Sequence, residues 1–266
     1  MLESPPPNNS SDHIIKLAID LQFSGDLKKI NDNYYYWDKI KYLSKDKNPV
    51  EFWQAIKFFR KLKATKVYFD KCEFKYNITD YIQKSLHLMD LNIGGSLSSN
   101  IGIAETDKAK FMVGSIMEEA ISSSQMEGAN TTRKKAKEII EKELKPKTKS
   151  EQMIINNYVT MQYIVQNKND DLTPSSLKFI HNLISKNTLD NNKEEGEFRE
   201  TNDIFVVDHS NSEVVHTPPD YNNIEKLIKE LCDFFNNDTG DFIHPVIKGI
   251  IIHFMIGWIH PFSDGN

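Results

Sequence analysis

Cysteine, arginine and long apolar runs are all scarce in this 266-residue sequence, and each shortage closes off a class of protein. The two cysteines, Cys72 and Cys232, stand far apart and form no Cys-x-x-Cys, so neither a zinc ribbon nor a disulfide framework is indicated. Reduced thiols in a cytoplasm are the expected state. The longest apolar stretch, Gly249 to Ile259, is interrupted by His253 and is too short to span a bilayer, so no transmembrane helix and no membrane partner are expected. A basic excess is missing as well: 33 Lys and Arg against 38 Asp and Glu leave a net charge of -5, which removes the bulk electrostatic case for a nucleic-acid partner. Among the basic residues only Arg60, Arg133 and Arg199 are arginine. There is no Gly-rich phosphate loop and no His-Glu-x-x-His. The first residues, MLESPPPNNSSDH, lack the basic and apolar segments of a secretory signal, and residues 1–12 read as a disordered polar tail.

What is present fits a globular protein with a real core: 39% of residues are hydrophobic and 27% charged. Periodicity predicts short helices at Ile14 to Phe23 and at Pro49 to Lys63, the latter with Phe52, Trp53, Ile56, Phe59 and Leu62 on one face. Lys66 to Phe74 reads as a strand or extended linker, and Thr79 as the cap of a helix through Met89. Gly94-Gly95 and the polar residues after it mark the expected domain boundary, separating an accessory region, 13–99, from a domain at 100–266. In the latter, helices are expected at Thr106 to Gln125 (with Phe111, Ile116, Ala120 and Ile121 in pattern), Thr132 to Leu144, Lys149 to Gln166 and Pro174 to Ser185. Asp190 to Glu195 is a polar loop. Ile204 to Val207, a turn, and Glu213 to His216 read as a β-hairpin, followed by helices at Asn222 to Phe235 and Pro245 to His260. The expected class is mostly α, a helical bundle with one inserted hairpin.

The last of these segments, HPVIKGIIIHFMIGWIHPFSDGN, concentrates the chemistry. The helix is almost wholly apolar and should be the buried centre of its domain, with His253 a core histidine. Pro261 places His260 at the helix end. Asp264 is a hard oxygen donor suited to Mg²⁺, and Gly265-Asn266 is backbone able to turn N–H groups toward an anion. An imidazole, a carboxylate and an anion nest within seven residues suggest phosphoryl or nucleotidyl transfer, against the simpler reading of a buried histidine before an Asp-Gly turn. His253 and His260, seven apart, could also be imagined as metal ligands of a hydrolase.

At these residues the chain resembles the Fic family, whose motif is His-x-Phe-x-Asp/Glu-Gly-Asn-Gly-Arg. His260-Pro261-Phe262-Ser263-Asp264-Gly265-Asn266 matches its first seven positions. Gly196-Glu197-Phe198-Arg199 resembles the family's segment before the flap, and the Ile204 to Thr217 hairpin resembles the flap itself, with Pro218-Pro219 its exit. The resemblance implies a Fic-type bundle around a central helix and transfer of AMP from ATP to a hydroxyl side chain of a target protein. It gives His260 the role of general base, Asp264 the Mg²⁺, Gly265 and Asn266 the nucleotide's phosphates, and Phe262 an inward anchor. The flap, Ile204, Phe205, Val206, Val207, Val214 and Val215, would pair with an extended stretch of the target. Ser123-Ser124-Gln125-Met126-Glu127-Gly128 fits the family's inhibitory pattern, so that Ser123, Glu127 and Gly128 belong to an inhibitory helix, 106–128, in the same chain. The Gly and Arg that complete the motif do not follow Asn266, and Arg199 already has another family counterpart. The resemblance therefore implies that these 266 residues are a truncated portion of a longer protein. A catalytically silent binding module and a phosphodiesterase that removes AMP from proteins remain as alternatives, and self-association of the chain stays open.

Overall fold

The computed structural model describes residues 3–8, 11–23, 25–69, 72–95, 105–208, 212–237 and 242–266, with side chains at all of these except 72, 93–95 and 105–110. The chain splits into two compact units, Met1–Ile101 and Gly102–Asn266. The Ser/Asn-rich stretch after Gly95 that was expected to mark the boundary lies outside the described residues.

The first unit is built from α1 (Asp12–Gln22), α2 (Gly25–Asp32), α3 (Trp37–Leu43), α4 (Pro49–Lys63), an antiparallel hairpin of β1 (Thr65–Phe69) and β2 (Cys72–Tyr76), and α5 (Asp80–Met89). Helix α4 starts where the sequence dictates, with Pro49 at its first position and the Asn48 side chain accepting from the Val50 and Glu51 amides. It packs on α1 through Trp53, Ile56 and Phe52, against Ile14, Ala18 and Leu21. Leu62, expected on the same face, is 72% exposed, because the last turn of α4 runs past the core. Arg60 is buried there instead. The polar tail is tied down where it is described: Trp37 donates to Glu3 at 3.1 Å, and Gln54 donates to the Pro7 carbonyl at 2.8 Å.

The second unit comprises α6 (Glu105–Met126), α7 (Arg133–Glu141), α8 (Lys149–Gln166), α9 (Pro174–Ser185), a hairpin of β3 (Val206–Asp208) and β4 (Glu213–His216), α10 (Ile224–Asn236) and α11 (Pro245–Ile259). The helices pack in sequence, α8 against α6, α7 and α9, and α10 against α9 and α11. Thr173 and Ser176 form a reciprocal capping box at the start of α9. Ile121, Ala129, Ala136, Ile140 and Ile154 form one cluster of the core, while Phe111, expected in the helical pattern, is exposed. In the hairpin, Val207 faces Val214 and a bulge falls between Val206 and Val207; the tip, 209–211, lies outside the described residues. Burial pushes the Cys232 thiol on α10 up to about 11, which leaves it an unreactive core residue. Among the described residues no helix is long and apolar enough to cross a membrane.

Helix α11 departs from its expected all-round burial. Ile247, Met255 and Ile259 are sealed in the core, yet Ile250 and Phe254 are more than half exposed and His253 is exposed as well. His253 is therefore not a core histidine.

Candidate active site

Helix α11 ends at His260, which takes up the left-handed conformation at φ 48°, ψ 62° while its N–H still bonds to the Ile256 carbonyl at 2.8 Å. A non-glycine residue in this region costs roughly 1–3 kcal/mol and has to be held by its surroundings. Here the holder is Arg199. Its backbone N–H donates to the Pro261 carbonyl at 2.9 Å, and its Nε to the His260 carbonyl at 2.8 Å. The other guanidinium nitrogens donate to the carbonyls of Thr201 and Pro219, at 2.7 and 2.5 Å. One 5%-exposed side chain thus fixes the exit of α11 and both ends of the segment that carries the hairpin. His216, at the end of β4, adds a second tie by donating to the Trp258 carbonyl at 2.8 Å.

Past His260 the chain turns around Phe262, buried against His181 with the rings parallel and 3.7 Å apart. His181 does more than pack. The Gly196 amide donates to its Nδ1 at 2.9 Å, which makes Nδ1 the unprotonated nitrogen and leaves Nε2–H to donate to the Asp264 carbonyl, also at 2.9 Å. Burial lowers its pKa, in keeping with this neutral form. Glycine is required at 196: φ is 79°, and a Cβ would come within 2.9 Å of both the Lys178 carbonyl and Asn182. Gly265, at φ 70°, closes the turn directly over His181.

The loop's polar groups are partly engaged with one another. The Asn266 amide accepts from the Phe262 N–H at 2.7 Å and donates to the Phe262 carbonyl at 2.9 Å, so that it staples the loop shut. The Gly265 N–H donates to the exposed Asp264 carboxylate at 2.7 Å. The His260 ring is half-buried, and its pKa is lowered, first by burial and then by the Arg199 charge. A neutral imidazole at the helix exit can accept a proton. Among the described residues no three His, Cys, Asp or Glu side chains gather as a metal site, which leaves the pairing of His253 with His260 without further ligands.

The second sequence motif comes to the same place. Helix α6 ends in a Schellman turn, with the Ala129 N–H bonded to Ser124 O, the Gly128 N–H to Gln125 O, and Gly128 at φ 93°. Ser123, Glu127 and Gly128 then line a cavity of about 720 Å³ together with Asp264, Gly265 and Asn266. Asn157 of α8, a residue that sequence reasoning passed over, donates to the buried Ser124 hydroxyl at 3.2 Å and holds the end of α6 beside this cavity. The hairpin leaves Phe205, Val207, Val214 and Val215 exposed, with Ile204 and Val206 half-buried.

Comparison with known proteins fits this geometry. Residues 171–266 match the model of the Fic/DOC family; the match begins after the Ser123–Gly128 segment. A protein adenylyltransferase Fic from Culex quinquefasciatus is 32% identical over 109 residues, 40% of this chain and 20% of that protein. One of the same name from Nematostella vectensis is 32% identical over 73 residues, 27% of this chain and 15% of that protein. The matched stretch is thus a fifth or less of these relatives' length. The crystal structure of a Fic family protein from Desulfovibrio desulfuricans G20 shares the fold, with a TM-score of 0.53 at 21% identity over 71% of this chain and 55% of that one. The left-handed helix exit, the clasped loop and the hairpin beside it thus all fall within residues 171–266, the stretch that resembles the Fic/DOC family.

Proposed function

We propose that this protein transfers AMP from ATP to a hydroxyl side chain of a target protein and that Glu127 restrains the reaction. The observation that carries the reading is the cavity lined by both Glu127 and the Asp264-Gly265-Asn266 loop, which begins four residues past His260, a half-buried histidine at the helix exit whose pKa burial lowers. Its size lies within the range of small-ligand sites and suits a nucleotide. In this reading the neutral His260 imidazole takes the proton of the target hydroxyl, whose oxygen attacks the α-phosphorus of ATP. The bond from that phosphorus to the bridging oxygen breaks, and pyrophosphate leaves.

A phosphate oxygen drawing on the Gly265 N–H would replace the Asp264 carboxylate there and release it. The loop offers that one carboxylate, which fits Mg²⁺ in company with a nucleotide, since this ion commonly takes one or two protein carboxylates and completes its shell with phosphates and water. When bound, the ion would neutralise charge on the phosphates. The exposed valines of the hairpin are the proposed docking strand for the target's main chain.

Incubating the full-length protein and a cell lysate with ATP labelled at the α-phosphate tests the reading. Labelled protein is expected, with more label from Glu127→Gly than from wild type. Equal labelling by the two would remove Glu127 from the regulation. Loss of AMP from pre-labelled protein, with no transfer to fresh protein, would favour the phosphodiesterase instead.

A further inference from the structure

The N-terminal unit holds a cationic cavity that the proposed reaction does not use. Arg60 is only 6% exposed, and its partners are neutral: the Asn31 side chain at 2.9 Å, the Tyr35 carbonyl at 3.0 Å and the Ile30 carbonyl at 3.3 Å. Its guanidinium lies over the Tyr34 ring, 4.1 Å from the centroid. Lys57 lies three residues before Arg60 and four before Lys61 on α4, spacings that make it a neighbour of each on the helix surface. Together with Lys75 of β2 they line a cavity of about 330 Å³ whose other walls are Asn8, Tyr34, Gln54, Phe58, Ala64 and Asn77. None of these lining residues is acidic; Asp32 and Asp80 lie in a neighbouring cavity that shares Arg60, Tyr34 and Asn77 as lining. Lys75 is already paired with Glu73, but among the described residues no ion pair is found for Arg60, Lys57 or Lys61. Burial and the Arg60 charge both push the Lys57 ammonium below its usual range, the mark of cations gathered without a counter-charge.

Tyr34 sharpens the picture. It sits at φ 48°, a strained backbone for an aromatic residue, and its hydroxyl accepts from the Asn77 amide at 3.2 Å, which leaves its own proton free to donate. A nearly buried guanidinium, two ammonium groups without a carboxylate partner (that of Lys57 over the Trp53 ring at 5.5 Å) and a phenol with a spare proton line one small opening.

We propose that this cavity binds a small, multiply charged phosphate compound, a pyrophosphate or a nucleoside diphosphate, between Arg60, Lys57, Lys61 and the Tyr34 hydroxyl. The volume is at the lower end for ligand sites, large enough for a pyrophosphoryl group and tight for anything much larger. All of its lining residues belong to the first unit, and nothing in it depends on AMP transfer.

The test is calorimetric titration of the full chain with inorganic pyrophosphate and, separately, with ADP, at fixed ionic strength. Saturable binding is expected, weakened about tenfold by Lys57→Gln and further in Lys57→Gln/Lys61→Gln, because each charge-assisted bond is worth about that factor or more. Lys142→Gln, at the C-terminal cap of α7 in the second unit, is expected to bind as wild type does. Circular dichroism keeps lost binding separate from lost folding, and Lys57 is half-exposed, so its replacement leaves the core intact. Tighter binding of ADP than of pyrophosphate would make the occupant a nucleotide, and the reverse order an inorganic or terminal pyrophosphate. Unchanged affinity in both lysine variants would place any binding elsewhere and overturn the proposal, as would no saturable binding of either compound.

Discussion

Arg60 and Arg199 are both nearly sealed from solvent, and both are bonded to carbonyl and amide oxygens rather than to a carboxylate. Their surroundings are opposite. Around Arg199, Asp220 and Asp203 supply negative charge that partly offsets the desolvation of the guanidinium. Around Arg60 the nearest charged neighbours on its own helix are lysines, and among the described residues no carboxylate forms an ion pair with it, although Asp32 and Asp80 line a neighbouring cavity with it. The same side chain at the same depth therefore has two uses: where the charge is balanced in place it becomes a clasp, and where it is not, it becomes a candidate for a ligand's counter-charge.

Replacing each by methionine, which keeps much of the volume, tests that contrast. Arg199→Met leaves the carbonyls of His260, Thr201 and Pro219 without their donor and is expected to cost about 3–5 kcal/mol in urea unfolding. Arg199→Lys should not restore the loss, because a lysine cannot span carbonyls that far apart in the chain with a fixed fork. Arg60→Met also loses three bonds but removes an uncompensated charge beside Lys57, and a smaller cost of about 1–2 kcal/mol is expected. Equal costs for the two would break the comparison. Gly196→Ala probes the clasp from the opposite side: the positive φ and the 2.9 Å approach to the Lys178 carbonyl predict a loss of about 1–3 kcal/mol.

The smallest expected effect is on pH dependence. His181 and His260 both have folded pKa values below the ordinary 6.5, so the unfolded chain binds protons more readily there than the folded one. Their share of stability is complete above that value and declines as pH falls through it. For His181 the structural reason is that a proton on Nδ1 would meet the Gly196 N–H. Unfolding midpoints at pH 7 and below 6 check the sign, and His181→Gln should flatten the dependence.

Local signals carried most of the fold into the sequence. Caps and prolines, such as Asn48-Pro49, Thr79 and Thr173-Pro174, act within a few residues of themselves, and α4, α5 and α9 start where those signals stand. The left-handed glycine after α6 is of the same kind. Helix α2 leaves little trace in the sequence because its eight residues carry only two apolar positions, Leu27 and Ile30, and the β1–β2 segment reads as ambiguous because its turn lacks Gly or Asn. In the site, the His260 to Asn266 run stood out as contiguous chemistry. His181 and Asn157 did not, since each acts on a partner more than thirty residues away and looks like an ordinary helix-face residue until the chain is folded. His253 reads wrongly as a core residue for the converse reason: an apolar helix carries no mark in its sequence of which face its domain leaves open.

The proposed chemistry rests on one atom pair, the His260 imidazole and the hydroxyl it deprotonates. The decisive measurement is AMP transfer from ATP labelled at the α-phosphate, made in the full-length protein carrying Glu127→Gly, with and without His260→Ala. A general base contributes typically about 10²–10⁴ in rate, so the label should fall at least a hundredfold when the imidazole is removed while the protein stays folded. Label that persists undiminished in the His260→Ala variant would contradict the assignment.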